Sequence, residues 1–368
     1  MKAIQSHLGT NKNLQLIQLL RAIACLLVVF YHATGLYPTS SGGHFLFGFF
    51  SFGYAGVDVF FVLSGFIITY TSLKYLGKVS HTGTFLFKRF VRIYPTYWII
   101  TICFLAFQII FPSFYRTYYQ FNGENIIYTF LLLPGHTMVN GVSWTLTNEL
   151  YFYLLFVTVF FAKNMKLLFI LIMLYCLIIV GNYFFVSIGI LKTNHNSLLD
   201  VMLQPMTLEF FMGVFAAFLY RKLSFKFVRI LIVLGLVLFG LGAFQSDNLP
   251  FSADFSRVIC YGIPSFLIVT AVAAFEFKKI FSLNKVWLAL GDASYSLYLI
   301  HLPILAAVSK IISKLQITNI ILTHSLLLLS ILILCLIAYL FYKYVESPII
   351  KSLIPYRRKG SLKNYKPI

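Results

Sequence analysis

The chain has 368 residues, of which 60% are hydrophobic, 18% aromatic and only 11% charged. This composition is too apolar for a water-soluble globular protein, and apolar runs of about 17–25 residues recur along the chain, so an all-α polytopic membrane protein is predicted. The net charge of +19 is explained by orientation in the membrane and attraction to anionic lipid head groups, without a nucleic-acid partner.

Ten membrane spans are predicted in chain order, at 14–35, 47–71, 93–112, 143–161, 167–186, 205–220, 229–245, 257–275, 286–308 and 322–343. The apolar segment 124–134 is too short to cross and is predicted to be interfacial or re-entrant. An even number of spans places both termini on one side. Only five of the 29 basic residues then fall in outer segments, namely Arg116, Lys192, Arg257, Lys310 and Lys314. Because positively charged loops stay inside, both termini are predicted to be cytoplasmic.

The predicted organisation is a cytoplasmic segment at 1–13, one ten-helix membrane domain at 14–346 and a basic cytoplasmic tail at 347–368. No water-soluble domain, linker or internal repeat is indicated. The five cysteines each lie alone in an apolar stretch. We interpret them as buried packing residues, with neither disulfides nor a metal site.

The first predicted span carries two ionisable residues, Arg21 and His32, in the run "LLRAIACLLVVFYH". Eleven positions correspond to about 1100° of helical rotation, so the two side chains share one face and stand roughly 16 Å apart along the axis. Arg21 is thereby predicted in the cytoplasmic half of the membrane and His32 in the outer third. Ionisable residues at such depths are typical of functional sites. A snorkelling arginine and an interfacial histidine are the structural alternative.

Three further ionisable residues are predicted inside the membrane. Glu149, in "SWTLTNELYFY", and His301, in "SYSLYLIHLP", are expected in the outer third beside His32. A carboxylate next to the imidazole would fix its tautomer, as a general base requires. Asp58, in "GYAGVDVFFVLSGF", is expected nearer mid-membrane, paired with Arg21 or a backbone donor. For His301 and Asp58, a purely structural bond between helices is an equal alternative.

A basic cluster precedes the third predicted span at the inner face. In "FLFKRFVRIYP", Arg89 and Arg92 lie three positions apart and share a helical face, with Lys88 adjoining. Arginines in such a pair can fork phosphate oxygens, which suits a phosphorylated ligand arriving from the cytosol. Ordinary juxtamembrane anchoring is the alternative.

Taken together, these motifs resemble acyltransferase family 3, and most closely its exopolysaccharide and O-antigen acetyltransferase branch. The resemblance runs from about residue 14 to 348. Its pieces, in order, are Arg21 with His32, the block from Gly56 to Phe66, Arg89 and Arg92 with Tyr94 and Pro95, then Trp144, Glu149 and Tyr153, the block from Ser294 to Pro303, and Glu346 with Pro348. Where the family often has a second acid after the first, this chain has Leu150.

The resemblance implies a ten-span enzyme of the bacterial inner membrane. Such an enzyme takes an acyl group, usually acetyl, from cytosolic acetyl-coenzyme A and transfers it to a carbohydrate hydroxyl on the outer side. By position in the motifs, His32 would be the catalytic histidine, supported by Glu149 and Arg21. Binding of coenzyme A would fall to a basic set, namely Arg21, Lys88, Arg89 and Arg92. The resemblance implies no metal.

The residues suit this chemistry. A thioester is already activated, so the enzyme needs a base for the sugar hydroxyl or a ring that first accepts the acyl group, and a histidine serves either route. Candidate donors to the tetrahedral oxyanion are Ser64, Trp144, Tyr295, Ser296 and Tyr298, and further support of the site is expected from Tyr153, Asp58 and His301.

The alternative function is a transporter or flippase of a sugar-linked lipid or a small solute. Such a protein would also bury arginine, histidine and acidic residues in the membrane. Against it, the two halves of the chain do not carry the paired Gly/Pro-broken segments that indicate inverted repeats.

Overall fold

The computed structural model of the chain describes residues 14–111, 123–135, 138–191, 198–245, 255–279 and 282–354. Within these ranges all regular structure is helical, and nine helices are long and apolar enough to cross a membrane. The protein is therefore an all-α, multi-pass integral membrane protein, as its composition predicts. The predicted segment 1–13, the end of the tail, Arg116 and Lys192 lie outside the described residues.

The helices of the described residues are α1 (Gln15–Gly35), α2 (Gly56–Ser72), α3 (Thr82–Ile110), α4 (Gly123–Leu131), α5 (Trp144–Phe161), α6 (Met165–Ser187), α7 (Leu198–Leu203), α8 (Thr207–Leu219), α9 (Phe225–Phe244), α10 (Phe255–Lys278), α11 (Lys285–Asp292), α12 (Ser294–Lys314) and α13 (Ile320–Leu353). The span that contains α2 is the most enclosed, since 78% of its apolar stretch is buried inside the protein. For α6 the share is 11%, so most of its surface is left for lipid.

Three helices start differently from the predicted spans. The span predicted from 47 begins in short 3-10 turns, and α2 itself begins at Gly56. The third helix, α3, begins at Thr82, eleven residues before the predicted start at 93, so the basic cluster lies within the helix. Hydropathy misses this extension because lysine and arginine lower the average without breaking a helix. The predicted span 286–308 is two helices, α11 and α12, separated at Ala293.

The ends of two other predicted segments also differ. The predicted span 205–220 corresponds to α8, whose 13 residues extend about 20 Å, less than the hydrocarbon core. In α13 the helix continues to Leu353, so the first residues of the predicted tail 347–368 are helical. The nine long helices correspond to nine of the ten predicted spans, and α8 lies where the remaining span is predicted.

The first helix, α1, is capped from a distant part of the chain. The backbone N–H groups of Leu16 and Ile17 donate to the Glu276 carboxylate of α10, at 2.9 and 3.3 Å. These N–H groups would otherwise lack partners at the helix N-terminus. A Cβ on Gly56 of α2 would lie 2.2 Å from the Ala24 carbonyl oxygen, so α1 also contacts α2 backbone to backbone.

A reciprocal glycine contact joins α2 to α8. A Cβ on Gly65 would lie 2.0 Å from the Phe210 carbonyl oxygen, and a Cβ on Gly213 would lie 2.0 Å from the Val62 carbonyl oxygen. Small residues that let two backbones touch are a common means of packing membrane helices. This contact fixes α2 in the centre of the bundle.

Replacing either glycine of this contact is expected to force α2 and α8 apart. We expect Gly65→Ala and Gly213→Ala each to lower the free energy of unfolding by about 3 kcal/mol, since a methyl group has no space beside a carbonyl. The matched control is Gly181→Ala on α6, where nothing lies within 4 Å of the added Cβ. Thermal unfolding in detergent measures the three variants. Equal stability of all three would contradict the backbone contact.

The short helix α4 is held by aromatic side chains of α3. Tyr94, Tyr97 and Trp98 donate to the last three carbonyls of α4, at residues 129–131, with distances of 2.7–3.1 Å. These carbonyls lack partners within the helix. With nine residues, α4 extends only about 14 Å. This length is less than the hydrocarbon core of a membrane, which agrees with the short apolar segment read from the sequence.

Candidate functional site

A partly enclosed cavity is formed by residues of α1, α2, α3, α5 and α12. Its charged lining consists of three cations and one carboxylate, namely Arg21, Arg89, Arg92 and Glu149. Its hydroxyl lining consists of Ser64, Thr145, Tyr153, Ser294, Tyr295 and Tyr298. The excess of positive charge suits an anionic ligand.

The three arginines reach the cavity from two helices. Arg21 lies six residues into α1 and is only 6% exposed, and Arg89 and Arg92 lie one turn apart on α3. The Arg89 guanidinium stands 5.3 Å from the centre of the Tyr153 ring, and one of its nitrogens lies 3.5 Å from the Thr71 hydroxyl. Arg21 therefore lines one cavity with two arginines that lie 68 and 71 residues further along the chain, and guanidinium groups are suited to bind phosphate.

The carboxylate of Glu149 lies with these arginines and not with His32. It accepts a hydrogen bond from Tyr153, one turn along α5, and it lines the cavity. The predicted pairing of Glu149 with the His32 imidazole is wrong. Asn140 and Ser143, just before α5, are 1% and 0% exposed. The start of α5 is therefore enclosed by the protein, and Glu149 lines the cavity with the arginines.

One face of α12 continues from the cavity towards the histidines. Tyr295 donates to the Ile93 carbonyl of α3 at 2.9 Å. One turn further, the hydroxyls of Tyr298 and Thr145 are hydrogen-bonded at 2.9 Å. The next residue on this face is His301, whose ring lies 5.6 Å from that of Tyr298. The lining of the cavity therefore leads directly to His301.

The imidazole rings of His32, on α1, and His301, on α12, are in direct contact. The His301 Nε2 atom lies 3.1 Å from His32 Nδ1, and the ring centres are 4.9 Å apart. His32 Nδ1 also lies 2.9 Å from the Val28 carbonyl, and His301 Nδ1 lies 2.7 Å from the Tyr298 carbonyl. His301 is fully buried and His32 partly buried. The prediction that these two histidines meet is confirmed, although neither lines the arginine cavity itself.

Two acidic residues near the arginines were missed as site residues. Glu346 of α13 is 5% exposed, accepts a hydrogen bond from Ser296, and is an electrostatic neighbour of Arg21. Asp292 of α11 is also an electrostatic neighbour of Arg21 and accepts a hydrogen bond from Gln18 at 2.9 Å. The motif "VESP" draws attention to Glu346, but the sequence does not indicate that this glutamate of α13 lies near Arg21 of α1.

Other predicted site residues lie away from the cavity. Lys88 is exposed and is not part of the cavity wall. Ser296 is bonded to Glu346, and the Trp144 ring packs edge-on against Phe61, 6.5 Å between centres. Of the five candidate oxyanion donors, Ser64, Tyr295 and Tyr298 line the cavity.

Asp58 has a different partner from the one predicted. Arg257 donates to both Asp58 oxygens, at 2.8–3.2 Å, and to the Tyr54 carbonyl at 3.2 Å. The two side chains are 1% and 0% exposed. The prediction of Arg21 as the partner is wrong, because the ion pair joins α2 to α10 inside the bundle.

Removing this buried cation is expected to destabilise the fold. We expect Arg257→Met to lower the free energy of unfolding by about 3–5 kcal/mol, because it leaves Asp58 charged and unpaired in the protein interior. Arg229→Met, an exposed arginine of α9, is the control. The double variant with Asp58→Asn should recover part of the loss. Equal loss in the two arginine variants, measured by unfolding in mixed micelles, would contradict a structural ion pair.

In the described residues, neither the cysteines nor other metal-ligating side chains gather into one site. Among the described residues no group of three or more side chains could hold a metal ion. All five cysteines are free thiols, and Cys25 is buried, but Cys103 is exposed on α3. The interpretation of the cysteines as buried packing residues is therefore wrong for Cys103.

Comparison with known proteins gives a family match over most of the chain. The sequence model of acyltransferase family 3, described as an acyltransferase domain, matches residues 15–343. The exopolysaccharide production protein ExoZ of Rhizobium meliloti is 28% identical over 277 residues, which cover 71% of this chain and 79% of that protein. No solved structure matches the chain.

Two O-acetyltransferases are also similar. The O-acetyltransferase OatA of Staphylococcus aureus is 25% identical over 90% of this chain and 56% of its own length. The peptidoglycan O-acetyltransferase OatA of Listeria monocytogenes is 25% identical over 94% of this chain and 57% of its own length. The chain thus spans little more than half the length of these two relatives.

Proposed function

Because the chain belongs to acyltransferase family 3, we propose that it is a membrane O-acyltransferase that moves an acyl group from acyl-coenzyme A to a carbohydrate hydroxyl. The acyl group is acetyl, the donor is cytosolic, and the acceptor hydroxyl is at the outer side of a bacterial inner membrane. The printed names of the relatives, O-acetyltransferase and exopolysaccharide production protein, support the acetyl group and the carbohydrate acceptor. The membrane domain occupies residues 14–346, with both termini cytoplasmic.

One observation carries this proposal. The arginine-lined cavity and the histidine pair lie along the same two helices, with Arg21 and His32 on α1 and with Tyr298 and His301 on α12. Arg21 and His32 are separated by roughly 16 Å along α1. A donor with a phosphate-bearing end and a thin acyl-bearing arm fits this arrangement of charge and distance.

At the donor end, Arg21, Arg89 and Arg92 bind the phosphates of coenzyme A. Guanidinium groups form paired, charge-assisted hydrogen bonds to phosphate, which are stronger than neutral ones. Glu149 is held by Tyr153 beside these arginines, where it limits the net positive charge and orients the guanidinium groups. Basic residues elsewhere on the cytoplasmic face contact anionic lipid.

At the acyl end, His32 performs the transfer chemistry. In the direct route its imidazole takes the proton of the acceptor hydroxyl while the hydroxyl oxygen attacks the thioester carbonyl, the C–S bond breaks, and the thiolate recovers the proton. In the two-step route the imidazole nitrogen first takes the acyl group and then yields it to the hydroxyl. Tyr298 and Ser64 line the cavity as donors for the oxyanion, whereas the Tyr295 hydroxyl already donates to the Ile93 carbonyl.

The test is transfer of radiolabel by the purified protein. Detergent-solubilised protein is incubated with acetyl-coenzyme A labelled in the acetyl group, with and without a bacterial exopolysaccharide extract. We expect alkali-labile label on the glycan and an equal release of free thiol. No label, no thiol release and no binding of acetyl-coenzyme A by folded protein, together with movement of a fluorescent sugar-linked lipid in vesicles, would favour the transporter instead.

A further inference from the structure

The hydrogen-bond partners of the two histidines fix where their protons lie. A backbone carbonyl oxygen only accepts hydrogen bonds, so a ring nitrogen that contacts one must carry a proton. His32 Nδ1 lies 2.9 Å from the Val28 carbonyl, and His301 Nδ1 lies 2.7 Å from the Tyr298 carbonyl. Both Nδ1 atoms are therefore protonated.

The contact between the rings follows from this assignment. His301 Nε2 stands 3.1 Å from His32 Nδ1, and the latter already carries a proton. Two N–H groups cannot face one another at this distance, so His301 Nε2 carries a lone pair and accepts. His301 is then neutral, and the His32 proton is shared between two acceptors, the Val28 carbonyl and His301 Nε2.

We propose that His301 is a positioning residue that, together with the Val28 carbonyl, holds His32 in the Nδ1–H tautomer, so that Nε2 of His32 carries the reactive lone pair. This assignment rests on the proposed function, which makes His32 the reacting group. Nε2 takes the acceptor proton in the direct route, or forms the bond to the acyl carbon in the two-step route. In either route His32 becomes cationic for a time, and the Nδ1–H bond to His301 strengthens.

In this arrangement a neutral imidazole performs the task that a carboxylate performs in a hydrolase triad. A triad carboxylate holds its histidine in one tautomer and stabilises the imidazolium. Here Glu149, the acid expected beside His32, lies among the cavity arginines instead, and the partner of His32 is a second imidazole. The backbone carbonyl of Tyr298 fixes that second ring in turn.

The first test reads the tautomer directly and needs no activity. Protein labelled with ¹⁵N-histidine is reconstituted in liposomes and measured by solid-state NMR, and the His32 signals are identified by their loss in His32→Gln. We expect a protonated Nδ1 and an unprotonated Nε2 at neutral pH. A His32 ring protonated at Nε2 alone would overturn the proposal, whether or not the protein transfers acetyl groups.

The second test separates positioning from structure with two variants of His301. His301→Gln keeps an acceptor oxygen near His32 Nδ1, whereas His301→Leu keeps bulk and removes the acceptor. We expect kcat to fall about 10- to 100-fold in His301→Leu, by analogy with groups that orient metal-binding histidines through the other ring nitrogen, and to stay within about threefold of wild type in His301→Gln. KM for acetyl-coenzyme A should not change in either variant. An equal loss in both would overturn the proposal, whereas an inactive wild type with the expected tautomer would overturn only the proposed function.

Discussion

His32→Ala is expected to lower the rate of acetyl transfer by at least about 10³-fold while binding of acetyl-coenzyme A stays within twofold of wild type. The imidazole is the reacting group in both routes, and loss of a general base or nucleophile commonly costs two to four orders of magnitude. Binding should persist because Arg21 lies roughly 16 Å away along α1. Single-turnover transfer and equilibrium binding of the donor measure the two quantities separately.

The control for this prediction is a histidine outside the bundle. His81 lies just before α3, where its ring packs against Tyr75 with 4.3 Å between ring centres. His81→Ala should leave both transfer and binding unchanged. If His32→Ala kept more than a tenth of the wild-type rate, or lost donor binding in proportion to rate, the assignment of the chemistry to His32 would be wrong.

Arg89→Ala and Arg92→Ala are each expected to weaken binding of acetyl-coenzyme A by about 10- to 150-fold, which corresponds to the loss of about 1.5–3 kcal/mol of charge-assisted hydrogen bonding. Both guanidinium groups line the cavity. The loss should shrink as salt is added, because screening weakens the same attraction in the wild type. Isothermal titration of acetyl-coenzyme A in detergent measures the effect.

Lys88→Ala provides a matched control for the arginine variants. Lys88 carries the same charge and adjoins Arg89 in sequence, but its side chain is exposed and is not part of the cavity wall. It should change the dissociation constant by no more than about twofold. Equal weakening by Lys88→Ala would mean that the cluster acts through net charge at the membrane surface, and the cavity would lose its role as the phosphate site.

The fold class, and the shared face of Arg21 and His32 on α1, could be predicted from the sequence because both depend on local patterns. Membrane spans follow from runs of apolar residues, and the common face of Arg21 and His32 follows from helical geometry alone. The meeting of His32 with His301 could also be predicted, since both are expected in the outer third of helices long enough to cross a membrane.

Errors arose where position depends on how elements pack. The position of Glu149 along its span predicts it beside His32, but the turn before α5 is buried and the carboxylate lies among the cavity arginines. Asp58 was paired with Arg21, although its partner Arg257 is 199 residues away. Nothing in one sequence indicates which of several buried cations a carboxylate meets, because the choice depends on which helices are neighbours.

The central claim is that one protein joins a donor site near one membrane face to a transfer site near the other. It is tested most directly in sealed proteoliposomes of defined protein orientation, with labelled acetyl-coenzyme A only on the cytoplasmic side and glycan only on the outer side. The account predicts esterified label on the outer glycan, abolished by His32→Ala. Label on the glycan only when donor and glycan share one compartment would contradict it.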